Sequence, residues 1–235
     1  MFKSNVSVSI IIPTFNEREN IISLILKLKN VLGETDYEFI IVDDNSHDKT
    51  YEEINKHFGK DKKVKLFVRK NERGLGSAIL HGIKNSKNGI IIGMDADFNH
   101  PPKLIQHMLK EVKDSDLIIA SRFIKGGGME EKKRYISTFI FNKFLKHILG
   151  FPIMDNMSGF YAIKKEKLLQ LPIEKIYKGY GDYHLRLVYL AKKNNFTIKE
   201  TPVFYKKRKY GKSKSNLYKM FFTYLYEAFK ITLEK

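Results

Sequence analysis

The first half of the chain alternates short apolar runs with polar turns and stretches of helical periodicity. The apolar runs are rich in β-branched residues and occupy positions 6–12, 37–42, 64–68, 89–94 and 116–120. Several of them are too continuously apolar to be half exposed, which is typical of strands buried on both faces. Between the first two runs, Ile21, Ile25, Leu28 and Leu32 share one helical face, and prolines begin a second helix over 102–113. Strands that alternate with helices predict an α/β fold with a mostly parallel sheet flanked by helices.

The pattern changes after three consecutive glycines, Gly126 to Gly128, which we predict to form a mobile loop. An aromatic-rich helix is predicted over 135–149, a strand over 158–163, a helix over 183–194 and an extended edge over 197–205. The last segment is apolar over much of a helical surface, and we see no internal repeat or low-complexity linker. The sequence therefore predicts a single domain over 1–235, with a core of 6–214 and an amphipathic C-terminal helix over 215–235.

The charge of the chain narrows the class of partner. Its 43 basic and 26 acidic residues give a formal net charge of +17, which favours nucleic acid, anionic membranes or phosphorylated metabolites as partners.

There are no cysteines, so a disulfide framework and a thiolate metal site are excluded. The apolar run near the start is too short for a signal peptide, and no segment approaches the roughly 18 apolar residues of a membrane span. We therefore expect a cytoplasmic protein that is soluble or bound peripherally to a membrane.

Polar motifs follow the predicted strands at the points where the strands end. Parallel sheets bind their ligands at the carboxyl ends of the strands, so we expect the five motifs to line one site. The motifs occupy 13–17, 43–46, 69–76, 95–99 and 121–122.

One of these motifs, Asp95, Asp97 and Asn99, is a candidate metal site. In an extended segment, side chains two residues apart point the same way, so their oxygens can gather around a hard cation. The spacing begins like a calcium-binding loop, but His100 and Gln106 occupy the positions that need glycine and an acid. Two acids and an amide suit Mg²⁺ or Mn²⁺ shared with a diphosphate. In the alternative interpretation, these acids only cap the helix that follows.

Two further motifs are compatible with a nucleotide ligand. Asp43 and Asp44 end a predicted strand and could bind a base or ribose, while the residues after them cap a helix. Gly74 and Gly76 open another helix, but Ile79 replaces the third glycine of a dinucleotide fingerprint, so we predict a tight turn close to a ligand instead. The basic segment 208–214, taken alone, is best interpreted as a solvated loop.

Taken in order, the motifs resemble family 2 glycosyltransferases, and among these dolichol-phosphate mannose synthases and other polyprenyl-phosphate sugar synthases. The resemblance runs from about residue 6 to residue 214. It rests on IIPTFNE, VDDNS, RGLG, MDADFNHPP, SRF, SGF and the basic segment RKYGKSK.

The resemblance implies a GT-A (Rossmann-like) fold and an inverting, metal-dependent transfer of a hexose, here mannose, to dolichyl or polyprenyl phosphate. The donor would be GDP-mannose or UDP-glucose, the cofactor Mg²⁺ or Mn²⁺, and Asp95, Asp97 and Arg122 would be catalytic. The implied metal ligands are Asp95, Asp97 and Asn99. The implied nucleotide-sugar residues are Pro13, Thr14, Asn16, Glu17, Asp43, Asp44, Gly74, Asp95, Ala96, Asp97, Arg208 and Lys214. The implied acceptor-phosphate residues are Ser121, Arg122, Arg134, Arg208 and Ser213.

Departures from the family pattern leave the acceptor open. Thr138 stands where a second phosphate-binding arginine is usual, which leaves Arg134 or Lys133 as substitutes, and Asp182 replaces a common glutamate. The alternative is therefore a family 2 enzyme that glycosylates a hydroxyl with Asp182 as its base. A basic nucleic-acid-binding protein is a remote alternative, because the chain has no recognisable nucleic-acid module. We expect no nucleic-acid partner.

The two aromatic-rich helices, over 135–149 and 215–235, are relevant to how the protein would reach a lipid acceptor. The helix over 135–149 carries several phenylalanines beside Lys143 and Lys146, a composition suited to a membrane interface. Core packing is an equally good explanation for this helix and for the last one. We expect attachment to the cytoplasmic face of a membrane, and the resemblance also admits a membrane-anchoring partner protein.

Overall fold

The computed structural model describes residues 6–206 and 217–233, and in its last helix it describes side chains from residue 221 onward. The strands are β1 (Ser7–Thr14), β2 (Asp36–Asp43), β3 (Val64–Val68), β4 (Ile90–Gly93), β5 (Leu117–Ser121), β6 (Gly128–Met129), β7 (Tyr161–Lys164), β8 (Ile198–Pro202) and β9 (Phe204–Tyr205). The helices are α1 (Arg18–Leu32), α2 (Thr50–Phe58), α3 (Leu75–Lys84), α4 (Leu104–Glu111), α5 (Lys132–His147), α6 (Lys165–Leu168), α7 (Ile173–Ile176), α8 (Tyr183–Lys193) and α9 (Leu217–Leu233).

Seven strands form the central sheet, in the order β3-β2-β1-β4-β7-β5-β8. β7 is antiparallel to both of its neighbours, and the other pairings are parallel. The chain moves outward from β1 to β2 and β3, and then crosses to the other side of β1 to form β4. The order of the strands therefore reverses between β1 and β4, which is where open α/β sheets bind ligands.

The core lies on both faces of this sheet. Along β1, Ile11 packs with the cluster that includes α3 and α8, whereas Ile10 and Ile12 pack with the cluster that includes α1 and α4. All three side chains are fully buried, as the continuous apolar run predicts for a strand covered on both faces. The predicted α/β fold with a mostly parallel sheet flanked by helices is confirmed.

The segment Gly126 to Gly128 differs from its prediction as a loop. Gly128 is buried at the start of β6, which pairs in parallel with β9. A Cβ atom on Gly128 would lie 2.8 Å from the ring of Phe204, so the glycine is required by close packing against β9. The glycine run therefore combines a turn with a short strand whose partner lies far along the sequence.

Helices α5 and α9 each have one buried face and one exposed apolar face. Phe141 of α5 packs on Phe221 of α9, with 5.0 Å between their ring centroids. On the outer faces, Ile140 is 62% exposed, Phe222 66% and Tyr226 65%. Core packing and an apolar surface thus coexist on these helices. Within 6–206 and 217–233, no helix is long and apolar enough to cross a membrane.

His184 of α8 lies in the core and is held neutral. Its Nδ1–H donates to the carbonyl oxygen of Asn156 at 3.1 Å, and its Nε2 is buried with no hydrogen-bond partner in the described part of the chain. Burial lowers the pKa of His184 from 6.5 to about 4. Protonation would place a charge in the core without an acceptor for the added proton.

We expect His184 to make the protein less stable in mild acid. The unfolded chain binds the proton near the ordinary pKa and the folded chain only near pH 4, so the stability is lost as the pH falls through this window. Between about pH 7 and pH 5 this residue should lower the free energy of unfolding by about 2 kcal/mol. Urea unfolding at the two pH values measures the effect.

The informative variant is His184→Asn, which keeps a donor for Asn156 and removes the titration. The matched control is His107→Asn, because His107 is exposed on α4. The pH dependence should shrink in His184→Asn and remain in His107→Asn. Equal pH dependence in both variants and the wild type would contradict the assignment.

Candidate active site

A cleft of about 320 Å³ opens at the carboxyl ends of β1 and β4, beside the N-terminus of α3. It therefore lies at the reversal point of the sheet. Its lining brings together four of the predicted motifs. The lining residues are Pro13, Thr14, Phe15, Glu17, Asp44, Arg73, Gly74, Leu75, Ala78, Asp95, Ala96, Asp97 and Tyr180.

The ends of β1 and β2 are joined by a buried network centred on Asp43. The Asp43 carboxylate accepts hydrogen bonds from Thr14 Oγ1 at 2.8 Å, Ser46 Oγ at 2.7 Å and the Ser46 backbone N–H at 2.8 Å. Asn16 extends the network, because its backbone N–H donates to Ser46 Oγ and its Oδ1 accepts from the His47 N–H. Asp43 is completely buried, so it shapes the wall of the cleft from behind, whereas Thr14 is part of the lining.

Asp44 connects two motifs that are far apart in the sequence. Its carboxylate pairs with Arg69 and also accepts the backbone N–H of Gly74 at 2.8 Å. Arg69 in turn donates to the carbonyl oxygen of Gly74 at 3.0 Å and to Ser77 Oγ at 2.9 Å. The turn before α3 is therefore clamped to the end of β2.

Close backbone contacts complete this side of the cleft. The N–H of Gly76 donates to the carbonyl oxygen of Gly179 at 3.1 Å, and a Cβ atom on Gly76 would lie 2.8 Å from the carbonyl oxygen of Lys178. Arg73 stacks over Phe15 at 3.7 Å from its ring centroid. The predicted tight turn is observed, and it places a guanidinium and an aromatic ring at the mouth of the cleft.

The opposite side of the cleft carries Asp95 and Asp97. Asp97 is almost fully buried and accepts the backbone N–H of Asn99 at 3.1 Å and its side-chain amide at 2.9 Å. Asp95 has a side chain that is 43% exposed, and its backbone N–H donates to His100 Nδ1 at 2.8 Å. His100 stacks on Phe160, with 4.8 Å between the ring centroids. The two carboxylates thus face one cleft on a rigidly supported turn.

This donor set fits a hard divalent cation. The described residues contain no cluster of three or more His, Cys, Asp or Glu side chains that could enclose a metal. Two carboxylates at an open cleft match the way Mg²⁺ is usually bound, with substrate phosphates and water completing its coordination. Asn99 supports Asp97 through its amide N–H, and its Oδ1 is the third oxygen of the predicted set.

Arg122, at the end of β5, forms a buried ion pair with Asp155. Its Nε and Nη2 donate to the two carboxylate oxygens at 2.8 and 2.7 Å, and its backbone N–H donates to the same carboxylate at 2.9 Å. Burial opposes the positive charge, but the Asp155 carboxylate outweighs it and raises the pKa of Arg122 above its ordinary value. The guanidinium also lies over the rings of Phe123 and Tyr205.

Some of the other predicted acceptor-phosphate residues lie near Arg122 in the structure. Ser121 is fully buried beside it in β5. Phe123 contacts Tyr135 of α5 at 5.2 Å between ring centroids, which brings the start of α5 and its Arg134 toward this region. The Nε of Arg134 is buried without a hydrogen-bond partner among the residues described. The predicted residues Arg208, Ser213 and Lys214 lie outside the described part of the chain.

Asp182, the candidate base for a hydroxyl acceptor, is engaged in structural contacts. Its carboxylate pairs with Arg186 at 2.5 Å and accepts the backbone N–H of Tyr180 at 2.7 Å. The side chain is buried, so these contacts hold the segment between α7 and α8. No observation at this residue favours a role as a base.

The motifs on this rim also match a known protein family. Residues 9–171, more than half of the chain, match the sequence profile described as glycosyl transferase family 2. The chain belongs to glycosyl transferase family 2.

Relatives of this family 2 protein include polyprenyl-phosphate mannosyltransferases. It is 33% identical to a dolichol-phosphate mannosyltransferase of Pyrococcus furiosus over 95% of the chain, and 31% identical to one of Saccharomyces cerevisiae over 70%. It is 30% identical to an undecaprenyl-phosphate mannosyltransferase of Micrococcus luteus over 87% of the chain and 85% of that protein. The matched region spans 63% of the length of each of the first two relatives.

Solved structures confirm the predicted GT-A fold. Glucosyl-3-phosphoglycerate synthase of Mycobacterium tuberculosis, solved with Mn²⁺, UDP and phosphoglyceric acid, superposes with a TM-score of 0.73. The superposition covers 97% of this chain and 79% of the other, at 16% sequence identity. The same synthase, solved with Mg²⁺ and UDP, gives a TM-score of 0.69.

Several residues that shape the site of this family 2 protein were not assigned a role in the sequence analysis. They are Arg69, which clamps the turn before α3; His100, which supports Asp95; Asp155, which pairs with Arg122; and Tyr180, which lines the cleft. Arg69 and His100 lie within motifs that the sequence analysis identified, so their positions already indicated that they are near the site. Asp155 precedes the SGF motif, but its partner lies 33 residues earlier, and nothing local indicates that pairing.

Proposed function

We propose that the protein transfers mannose from GDP-mannose to dolichyl or polyprenyl phosphate, with inversion at the sugar carbon and with Mg²⁺ or Mn²⁺. The observation that carries the proposal is the cleft in which Asp95 and Asp97 face the turn at Gly74. The named activities of the relatives support mannose and a polyprenyl phosphate as the substrates. UDP-glucose is the alternative donor, because the structural neighbour, a glucosyl-3-phosphoglycerate synthase by name, was solved with UDP and also with UDP-glucose.

In this proposal the two sides of the cleft have different roles. Asp95 and Asp97 hold the metal, with Asn99 Oδ1 as the third ligand, and the bound metal neutralises negative charge on the diphosphate of the donor. Asn99 and His100 keep these two carboxylates oriented. Gly74, clamped by Asp44, allows the diphosphate and ribose to approach the backbone, and Arg73 and Phe15 offer a cation and an aromatic face to the nucleotide. Pro13, Thr14, Asn16, Glu17, Asp43 and Ala96 complete the donor site, and Arg208 and Lys214 add cations to it.

The acceptor side of the proposal requires positioning rather than proton removal. A lipid monophosphate is already anionic at neutral pH, so it needs no general base and acts once it is held beside the anomeric carbon. Arg122, Ser121 and Arg134 are the proposed acceptor-phosphate residues, with Arg208 and Ser213. The buried Nε of Arg134, which has no partner in the described structure, supports its place in this set.

The outer faces of α5 and α9 supply the proposed membrane contact. Exposed Ile140, Phe222 and Tyr226 would enter the interface, and Lys143 and Lys146 would face anionic headgroups. This placement would bring a lipid-linked phosphate to the enzyme from the cytoplasmic face of a membrane.

A transfer assay tests the function and its metal requirement together. Radiolabelled GDP-mannose or UDP-glucose is supplied with polyprenyl phosphate, or with water alone. We expect lipid-linked mannose as the product, complete loss of transfer with EDTA, and recovery when Mg²⁺ or Mn²⁺ is added in excess. Donor hydrolysis without any lipid product would contradict the lipid-phosphate acceptor. Full activity in EDTA would contradict the metal.

A further inference from the structure

A second cavity, of about 400 Å³, lies between α7, α8 and α9 and shares no lining residue with the cleft. Its lining is strongly basic. The charged residues around it are Lys175, Lys178, Arg186, Lys193, Lys230 and Glu227. Among the described residues, five cations and one acid therefore surround a concave space, which raises the local concentration of anions more than the same charges would on a flat surface.

Contacts at the base of the cavity hold Glu227 close to a buried cation. Arg186 is 4% exposed and donates to Glu227 at 2.8 Å and to Asp182 at 2.5 Å. Its Nε donates to the carbonyl oxygen of Ile176 at 2.8 Å. Glu227 is thus directed to the guanidinium at the base of the cavity, while the four lysines come from α7, the segment after it, α8 and α9.

We propose that this cavity is a binding site for a phosphate-bearing anion, separate from the catalytic cleft. Lysine ammonium groups bind phosphate as point charges with three donors each, and several of them around one cavity favour a doubly charged group over a carboxylate. Leu190 and Ile231 add an apolar wall, which lowers the local dielectric constant and strengthens these interactions. The ligand is either a soluble phosphate compound or the phosphate headgroup of a lipid.

The test uses inorganic pyrophosphate as the soluble probe and charge reversal in the cavity. Isothermal titration compares the wild-type protein with the double variant Lys175→Glu/Lys178→Glu. The matched control is Lys103→Glu/Lys110→Glu, which makes the same change of charge on and beside α4. A third variant, Arg73→Glu, reports on the cleft. We expect at least about tenfold weaker binding in the cavity variant only, since the side chains of both lysines are exposed and the substitutions leave their backbone contacts unchanged.

The lipid arm uses flotation with phosphatidylcholine vesicles with and without phosphatidic acid. Binding that needs phosphatidic acid and is lost in the cavity variant, but not in the control, supports the site and identifies its ligand as a headgroup. Loss of pyrophosphate binding in the cavity variant alone supports the site with a soluble ligand. Equal binding by the cavity and control variants in both arms would overturn the proposal. So would loss of pyrophosphate binding only in Arg73→Glu.

Discussion

Replacing Asp97 by alanine is expected to reduce transfer activity by about a thousandfold or more while the fold is kept. Asp97 lies in the cleft beside Asp95, so its loss removes half of the carboxylate charge proposed for the metal. Its carboxylate accepts two hydrogen bonds from Asn99, two residues away, and the substitution leaves the buried apolar side chains of this turn, Met94 and Ala96, in place. The measurement is initial-rate transfer at saturating metal, with thermal unfolding as the check on the fold.

Two further variants separate charge from orientation. Asp97→Asn keeps the size of the side chain but not its charge, so it should be nearly as inactive as Asp97→Ala. Asn99→Ala leaves both carboxylates in place and removes one amide donor to Asp97 together with the third proposed oxygen ligand of the metal. We expect it to lose about 10- to 100-fold and to need more metal, as is usual when a residue that orients a metal ligand is removed.

A matched control for these changes is Asp114→Asn, which neutralises an exposed acid after α4, outside the cleft. It should retain wild-type activity. Near-normal activity of Asp97→Asn would contradict the proposed role of its charge. An Asn99→Ala variant with an unchanged metal requirement would contradict the role of Asn99 in orienting Asp97.

The fold was predictable where the signal is local. Continuous β-branched runs such as 6–12 identify buried strands, because a strand covered on both faces has no polar side. The direction of β7 could not be predicted in this way. The apolar pattern of a strand does not indicate whether it runs parallel or antiparallel to its neighbours. The direction of β7 is decided by its insertion between β4 and β5. The pairing of Gly128 with β9 was missed for the same reason, since the partner strand lies far along the chain.

The candidate site was likewise predictable where the signal is local and unpredictable where it depends on tertiary contacts. Thr14, Asp44, Gly74 and Asp97 stand at strand ends, so the rule for parallel sheets places them on one rim, and the structure brings them together. Their supporting contacts depend on tertiary structure. Arg69 reaches Asp44 across 25 residues, and Arg122 reaches Asp155 across 33. Neither periodicity nor spacing in the sequence indicates such contacts. A motif therefore predicts which side chains line the cleft, but it does not predict the residues that hold those side chains in position.

Removing Asp155 is expected to have the largest effect on stability. Arg122 would be left buried and charged, without the carboxylate that accepts three of its N–H groups. Breaking a buried ion pair in this way costs about 3–5 kcal/mol, so Asp155→Ala should lower the free energy of unfolding by that amount. Urea unfolding measures it. Glu53→Ala, which breaks the exposed pair with Arg18, is the control and should cost less than about 1 kcal/mol.

The double variant Arg122→Met/Asp155→Leu separates this structural role from the proposed role in acceptor binding. Apolar side chains should recover part of the stability, because no buried charge is left unpaired, while the backbone N–H of residue 122 loses its acceptor. If Arg122 also binds the acceptor phosphate, the recovered protein should bind GDP-mannose normally and yet show a strongly raised KM for polyprenyl phosphate. A double variant with normal kinetics for the lipid would assign Arg122 to stability alone. Acceptor recognition would then rest on Arg134, whose buried Nε has no other partner in the described structure.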